Sequence, residues 1–254
     1  MSLALNIEDW QRSVAEARQL YAITLRFEEP PRVPVRMSTA GAYYCDLFGY
    51  NMHDYHTNLD CQIEVSLKGL QWAFETLQDD REGYGISFDP GNIAEALYFR
   101  LEVVYPENEP PWAVRTVKTA EDIDALPLVD PAKHPGILEL YARREEIREK
   151  LQKMGLNIPV GAGLNFHPPL SAACAVAEPD LIFEWMYTEP DLIYRLFNKL
   201  FIAFCLLKDF HDRHFGTRTT RLAMCDDHSA FISPKMYRKF VFPYNKALYE
   251  RYGQ

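Results

Sequence analysis

Four short stretches of this chain carry side chains able to move protons or grip a ligand: Ser38 to Tyr43, Asp89, Asn165 to Pro169, and Asp226-Asp227-His228. Carboxylates, imidazoles, an amide and hydroxyls are the groups that general acid–base catalysis or metal binding requires. Asp89 follows the apolar run Ile86-Ser87-Phe88 and precedes Pro90-Gly91, and two readings fit it. It is either a carboxylate at a partly desolvated mouth, tuned by burial or a cationic partner, or a turn-forming Asp. Asp226 and Asp227 are adjacent, and successive residues of an extended chain point to opposite sides, so at most one of them faces a shared axis. His228 and His167 are each open to a role as base, metal ligand or ordinary loop residue. His211 with His214, and His53 with His56, are spaced three apart on predicted helices and read as solvent-facing pairs. The chain has no glycine-rich phosphate fingerprint, no Gly-x-Ser-x-Gly elbow and no His-Glu-x-x-His pair, so nucleotide hydrolysis and serine-hydrolase chemistry have no support.

These groups matter only if strands and helices bring them to one place. Hydrophobic periodicity predicts a first helix over Ile7 to Tyr21, with Asn6 as N-cap and Trp10, Val14, Ala17 and Tyr21 on one face. A helix over Asn58 to Gln78 carries Ile63, Leu67, Leu70, Phe74 and Leu77 at the helical period, and a charged helix follows over Gly136 to Met154. Further helices are predicted over Leu181 to Tyr187 and Asp191 to Phe215, and Ser233-Pro234 opens a last one. Between them lie four strand candidates: Val33 to Met37, Gly85 to Asp89, Ile158 to Ala162 and Arg221 to Cys225. Thr39 to Ala42 reads as a loop. Leu101 to Val104 and Ala113 to Val117 flank a Pro-rich turn and read as a small antiparallel excursion. Strand followed by helix four times is a parallel α/β rhythm, half of a (β/α)8 TIM-type barrel, in which working groups stand at the carboxyl ends of strands.

A chain of 254 residues that is 48% hydrophobic and 25% charged has the balance of one globular domain. Its formal charge of −9 argues against a nucleic-acid partner, which requires a basic surface. No apolar run reaches the roughly 18 to 20 residues of a membrane span, and Met1 to Asp9 lack the features of a signal peptide, so no membrane association and a cytoplasmic location are expected. Five scattered cysteines, Cys45, Cys61, Cys174, Cys205 and Cys225, fit free, buried thiols better than a disulfide framework.

The run from Asp226 to Tyr244, with its acidic start, Ser233-Pro234 and Phe240-Val241-Phe242-Pro243-Tyr244, resembles the uroporphyrinogen decarboxylase superfamily. Pro159-Val160-Gly161 and Pro169-Leu170-Ser171 are similar to that family's third strand and its Pro-x-Thr loop, Phe88-Asp89 to the position of its catalytic aspartate, and Met37 to Tyr43 to its Met-Arg-Gln-Ala-Gly-Arg-Tyr motif. The resemblance runs from about Val33 to the end and is most specific in its last segment. It implies a partial TIM-type barrel with about four strands and a single domain over residues 1–254 that looks like the N-terminal part of a longer fold; the bare edges and uncovered apolar face of such a half-barrel make a homo-oligomer the expectation.

The resemblance gives Asp89 the place of the catalytic aspartate, and position at the carboxyl ends of the predicted strands makes Asp227 and His228 the other candidate catalytic residues and Ser38, Tyr43, Asn165, His167 and Asp226 the candidate substrate-binding ones. Yet Ser38 and Ala42 stand where the decarboxylases carry arginines for substrate carboxylates, Ala175 where they carry a tyrosine, and Asp227 where they carry a serine. The implied function is therefore a methyltransferase-like or divergent member acting on or binding a tetrapyrrole or a corrinoid-linked substrate, with a corrinoid protein as a partner. The alternatives are the lyase reaction itself, uroporphyrinogen decarboxylation in porphyrin biosynthesis, and a non-catalytic tetrapyrrole-binding module. The methyltransferase branch uses zinc held by a His-x-Cys motif and a later Cys, which are expected C-terminal to Gln254; no metal ligand is assigned among residues 1–254.

Overall fold

The structure, a computed structural model, describes residues 5–161 and 166–253. In chain order its elements are α1 (Ile7–Leu25), α2 (Gly41–Phe48), α3 (Met52–Thr57), α4 (Leu59–Trp72), β1 (Ile86–Ser87), α5 (Ala94–Phe99), β2 (Val103–Val104) and β3 (Trp112–Ala113). They continue with α6 (Ala120–Ala125), α7 (Pro135–Lys153), β4 (Val160–Gly161), α8 (Pro169–Val176), α9 (Pro179–Thr188), α10 (Pro190–Phe215), α11 (Pro234–Met236) and α12 (Phe242–Tyr252). Two compact units result, one of Met1–Pro90, Tyr105–Pro110 and Tyr141–Gly163, the other of Gly91–Val104, Pro111–Leu140 and Leu164–Gln254. Among the described residues no helix is long and apolar enough to cross a membrane.

In the first unit, Asn6 caps α1 by accepting the Asp9 N–H at 3.2 Å, and the buried face is Trp10, Val14, Ala17 and Leu20, one position from the predicted Tyr21. Trp10 stacks on Phe74 with ring centroids 4.9 Å apart, and joins Ile63, Leu67, Leu70, Ile86, Ile147, Leu151 and Ile158 in one core. Asn58 caps α4 through the Asp60 and Cys61 N–H groups, and the helix ends in a single π-turn over Ala73–Leu77. Strands β1 and β4 pair in parallel, Ile86 with Val160 and Ser87 with Gly161. Gly85 allows the approach, since a Cβ there would lie 2.8 Å from the Pro159 carbonyl oxygen.

The remaining strand expectations divide. Val33 to Met37 joins no sheet among the described residues, because Asp79 and Asp80 take its backbone groups instead. The Val35 N–H donates to Asp80 Oδ2 at 2.8 Å, the Asp80 N–H donates to the Val35 carbonyl at 2.7 Å, and the Met37 N–H donates to Asp79 Oδ2 at 2.9 Å. Arg32 grips the same Asp80 carboxylate with both guanidinium arms. The predicted loop at Thr39 to Ala42 holds for Thr39 and Ala40 and is corrected at its second half, for α2 begins at Gly41. Arg221 to Cys225 likewise forms no ladder, so the described sheets are two pairs of strands rather than a four-stranded arc. Ala162, the end of another predicted strand, lies outside the described residues.

In the second unit, β2 and β3 form the antiparallel excursion, Val103 opposite Ala113 and Val104 opposite Trp112. The 26-residue α10 buries Ile193, Leu196, Phe197, Leu200, Ala203, Phe204 and Leu207 and packs against α8 and α9. Pro169-Leu170-Ser171, expected as a loop, is the first turn of α8, where a proline at the helix start costs no hydrogen bond. Ser233 caps α11 by accepting the Met236 N–H, and a π-turn over Tyr237–Val241 leads into α12. All five cysteines are free; Cys45, Cys174 and Cys205 are buried, whereas Cys61 is half-buried and Cys225 exposed, against the expectation of five buried thiols.

Candidate functional site

Asp89 sits two residues beyond β1 and is held from below by α3 and α4. The buried Gln62 binds its backbone on both sides, Oε1 accepting the Asp89 N–H at 2.9 Å and Nε2 donating to the Asp89 carbonyl at 2.8 Å. Tyr55 donates its hydroxyl to Asp89 Oδ2 at 3.1 Å, and His56 Nδ1 lies 3.2 Å from the Asp89 carbonyl oxygen. Burial pushes the Tyr55 phenol above its usual range, reinforced by the Asp89 charge, so Tyr55 stays a donor. Burial also lowers the His56 imidazole below its ordinary value, against the pull of Asp89. His56 is thus half-buried and engaged, which corrects the solvent-facing reading of the His53 and His56 pair; His53 is the exposed member.

A cleft of about 540 Å³ opens over this cluster, lined among others by Ser38, Thr39, Gly41, Tyr44, Tyr55 and Asp89. Its volume lies within the usual range of small-molecule sites, roughly 300 to 1,000 Å³. Gly41 stands so close to Tyr55 that a Cβ would meet the phenol oxygen, so the α2 start can carry no side chain there without displacing Tyr55. Arg36 and Arg81 also line the cleft, but Arg81 is committed to Asp79 at 2.7 Å and Arg36 lies 3.7 Å from Glu82. The cleft therefore joins Ser38 and Asp89, two of the expected residues. Tyr43 does not line it; its exposed ring packs on Tyr44 and Trp72, 5.9 and 5.6 Å between centroids.

The second unit holds a separate polar cluster. Asp226 accepts three hydrogen bonds, from Ser171 Oγ at 3.0 Å on Oδ1, and from Ser229 Oγ at 2.6 Å and Asn245 Nδ2 at 2.9 Å on Oδ2. His228 Nδ1 lies 3.2 Å from the same Ser171 Oγ. Burial holds the His228 imidazole below its ordinary value, opposed by the Asp226 and Asp227 charges. Asp227 itself is exposed, so the network centres on its neighbour. His167 donates its backbone N–H to Glu95 Oε1 at 2.7 Å, and its ring Nδ1 lies 3.0 Å from that oxygen. That bond raises the His167 imidazole above its ordinary value, against a smaller opposing effect of burial. Glu95 is wholly buried, and its other oxygen, Oε2, has no hydrogen-bond partner among the described residues. Asn165 lies outside the described residues.

Sequence reasoning missed Tyr55, Gln62, Glu95, Ser229 and Asn245. Glu95 and Gln62 left one faint signal, a polar residue inside an otherwise apolar helical face. Zinc, implied by the methyltransferase branch, finds no fit in this donor set. Among the described residues no three His, Cys, Asp or Glu side chains are grouped to hold a metal. Burial also pushes the Cys45 thiol up to about 11 and the Cys174 thiol to about 12, which favours the protonated form over a metal-binding thiolate.

The family model described as Uroporphyrinogen decarboxylase (URO-D) matches residues 16–254. Among solved structures, a methyltransferase from Methanosarcina mazei shares the fold at a TM-score of 0.63 and 16% sequence identity, the likeness covering 94% of this chain and 67% of that one. No curated protein matches the sequence.

Proposed function

The chain belongs to the uroporphyrinogen decarboxylase family, and from that premise we propose that it is a divergent, methyltransferase-like member that binds a tetrapyrrole or corrinoid-linked ligand in the Asp89 cleft, rather than a decarboxylase of the haem pathway. The observation that carries this reading is the make-up of the cleft. Ser38 lines it where the decarboxylases place an arginine, and the two arginines that do line it, Arg36 and Arg81, have acidic neighbours of their own. A planar guanidinium fork is the group suited to gripping a substrate carboxylate, and a serine hydroxyl offers neither its charge nor its geometry. Ala42 and Ala175, at the positions of the second arginine and the tyrosine, support the same reading.

In this reading Asp89 and Tyr55 form the polar floor under the ligand, with Ser38 and Thr39 at its edge. Within the second unit, half-buried His228 serves as a proton acceptor, and His167, whose imidazole value is raised by its hydrogen bond to Glu95, as a proton donor. The resemblance to the methyltransferase branch of the family makes the partner that delivers a corrinoid a second protein. The test is incubation of the protein with uroporphyrinogen, followed by chromatographic separation of the porphyrins by carboxylate number. The substrate is expected to keep all its carboxylates; sequential loss of acetate-derived carboxyls would overturn the proposal.

A further inference from the structure

The cluster around Asp226 contains an arrangement in which one serine hydroxyl sits between a carboxylate and an imidazole, and its protons can be counted. Asn245 Nδ2 carries only hydrogens to give, and Ser229 Oγ gives its own to Oδ2 at 2.6 Å. At neutral pH a carboxylate has no proton of its own, so the 3.0 Å contact between Ser171 Oγ and Asp226 Oδ1 must use the Ser171 hydroxyl hydrogen. A hydroxyl has one hydrogen. The remaining contact, 3.2 Å between Ser171 Oγ and His228 Nδ1, is then a hydrogen bond in which the imidazole Nδ1–H donates to a serine lone pair. A neutral imidazole carries a single N–H, which leaves Nε2 with the in-plane lone pair.

We infer that Ser171 is a positioning residue that relays the Asp226 carboxylate to His228, fixing the Nδ1–H tautomer and presenting Nε2 as the proton-accepting atom of this cluster. The inference deepens the reading of His228 as a base and rests on it for its functional meaning, though not for its structural content. The order of groups differs from the familiar nucleophile triad. There the imidazole stands between carboxylate and serine and activates the hydroxyl; here the serine stands between carboxylate and imidazole, so its hydrogen is already committed and it is no nucleophile. Ser171 can play this part because it lies in the first turn of α8, buried and flanked by Leu170, Ala172 and Ala173, whose side chains offer it no competing polar group. The charged and titratable groups that bear on His228 are Asp226, Asp227, His167 and Arg115. Of these only Asp226 is tied to it through a shared hydrogen-bond partner, which is why removal of Ser171 should release the ring.

The experiment is a long-range proton–nitrogen NMR correlation on the full 15N-labelled chain, with the His228 signals identified by their disappearance in His228→Gln. The wild type is expected to show a protonated Nδ1 and an unprotonated Nε2 for His228. Ser171→Ala should lose that pattern, and Ser171→Thr, which keeps the hydroxyl, should restore it. A wild-type ring protonated on Nε2, or an Nδ1–H pattern unchanged in Ser171→Ala, would overturn the assignment. The wild-type spectrum alone decides the tautomer even if Ser171→Ala fails to fold. Failure of the functional reading is distinguishable, because it leaves the tautomer as assigned while His228→Gln binds and turns over ligand as the wild type does.

Discussion

Gln62 and Asp89 are locked backbone to side chain in a two-point clasp, the amide oxygen of Gln62 taking the Asp89 N–H at 2.9 Å while its nitrogen gives to the Asp89 carbonyl at 2.8 Å. The same nitrogen also donates to the Tyr55 carbonyl at 3.1 Å, so one buried side chain fixes both the aspartate and the tyrosine that faces it. Replacing Gln62 with Leu keeps the volume but removes the acceptor of the part-buried Asp89 N–H and one donor from each of the Tyr55 and Asp89 carbonyls. The expected cost is about 2 to 3 kcal/mol, read as a shift in the urea midpoint with an unchanged slope. A loss below about 0.5 kcal/mol would mean that the clasp is replaceable by water.

The core of the first unit gives a calibration for that figure. Leu67 is fully buried against Trp10, Ile63 and Ile147 in one apolar cluster. Leu67→Ala should destabilise by about 2 to 5 kcal/mol, the range for a buried leucine whose cavity only partly collapses. Chemical denaturation checks it.

Asp80 should be visible in acid. The Arg32 guanidinium holds the Asp80 carboxyl below its ordinary value, helped by the Val35 N–H and against the effect of burial. A carboxyl depressed in the folded state stabilises above its unfolded value, about 3.9, and that contribution disappears as the pH falls through the folded value. The Tm difference between wild type and Asp80→Asn should accordingly be flat from about pH 5 to 7 and shrink below about pH 4. A difference that grows in acid would contradict the pairing.

His167 has the opposite sign. Its hydrogen bond to Glu95 raises the imidazole value, so the contribution is fully present below the unfolded value of about 6.5 and is lost as the pH rises through the folded one. The Tm difference between wild type and His167→Gln should be largest near pH 6 and smaller at pH 8.5, in differential scanning at fixed ionic strength.

Much of this architecture could be read from local sequence. Asn6, Asn58 and Ser233 mark helix starts because a cap is a bond between residues three positions or fewer apart. The Trp10 stripe and the long α10 follow from the helical period, and the antiparallel excursion from its Pro-rich turn. The segment Val33 to Met37 misled because β-rich composition reports an extended chain, not what pairs with it; its partners, Asp79 and Asp80, lie more than 40 residues away. The surroundings of Asp89 were hidden for the same reason, since Tyr55, His56 and Gln62 arrive on two helices earlier in the chain. Ser38, Asp89, Asp226 and His228 could be named as site candidates from their positions at the ends of predicted strands. That Ser171 links the last two depends on α8 delivering its first turn to them, which no spacing in the sequence announces.

The measurement that bears most directly on the account is a spectroscopic titration of the protein with uroporphyrin and, separately, with cobalamin, in the wild type and in Asp89→Asn. Saturable one-to-one binding of at least one of them, weakened about tenfold or more in Asp89→Asn, corresponding to roughly 1.4 kcal/mol, is the predicted result. No saturable binding of either compound, or binding indifferent to Asp89, would contradict a tetrapyrrole or corrinoid site in this cleft.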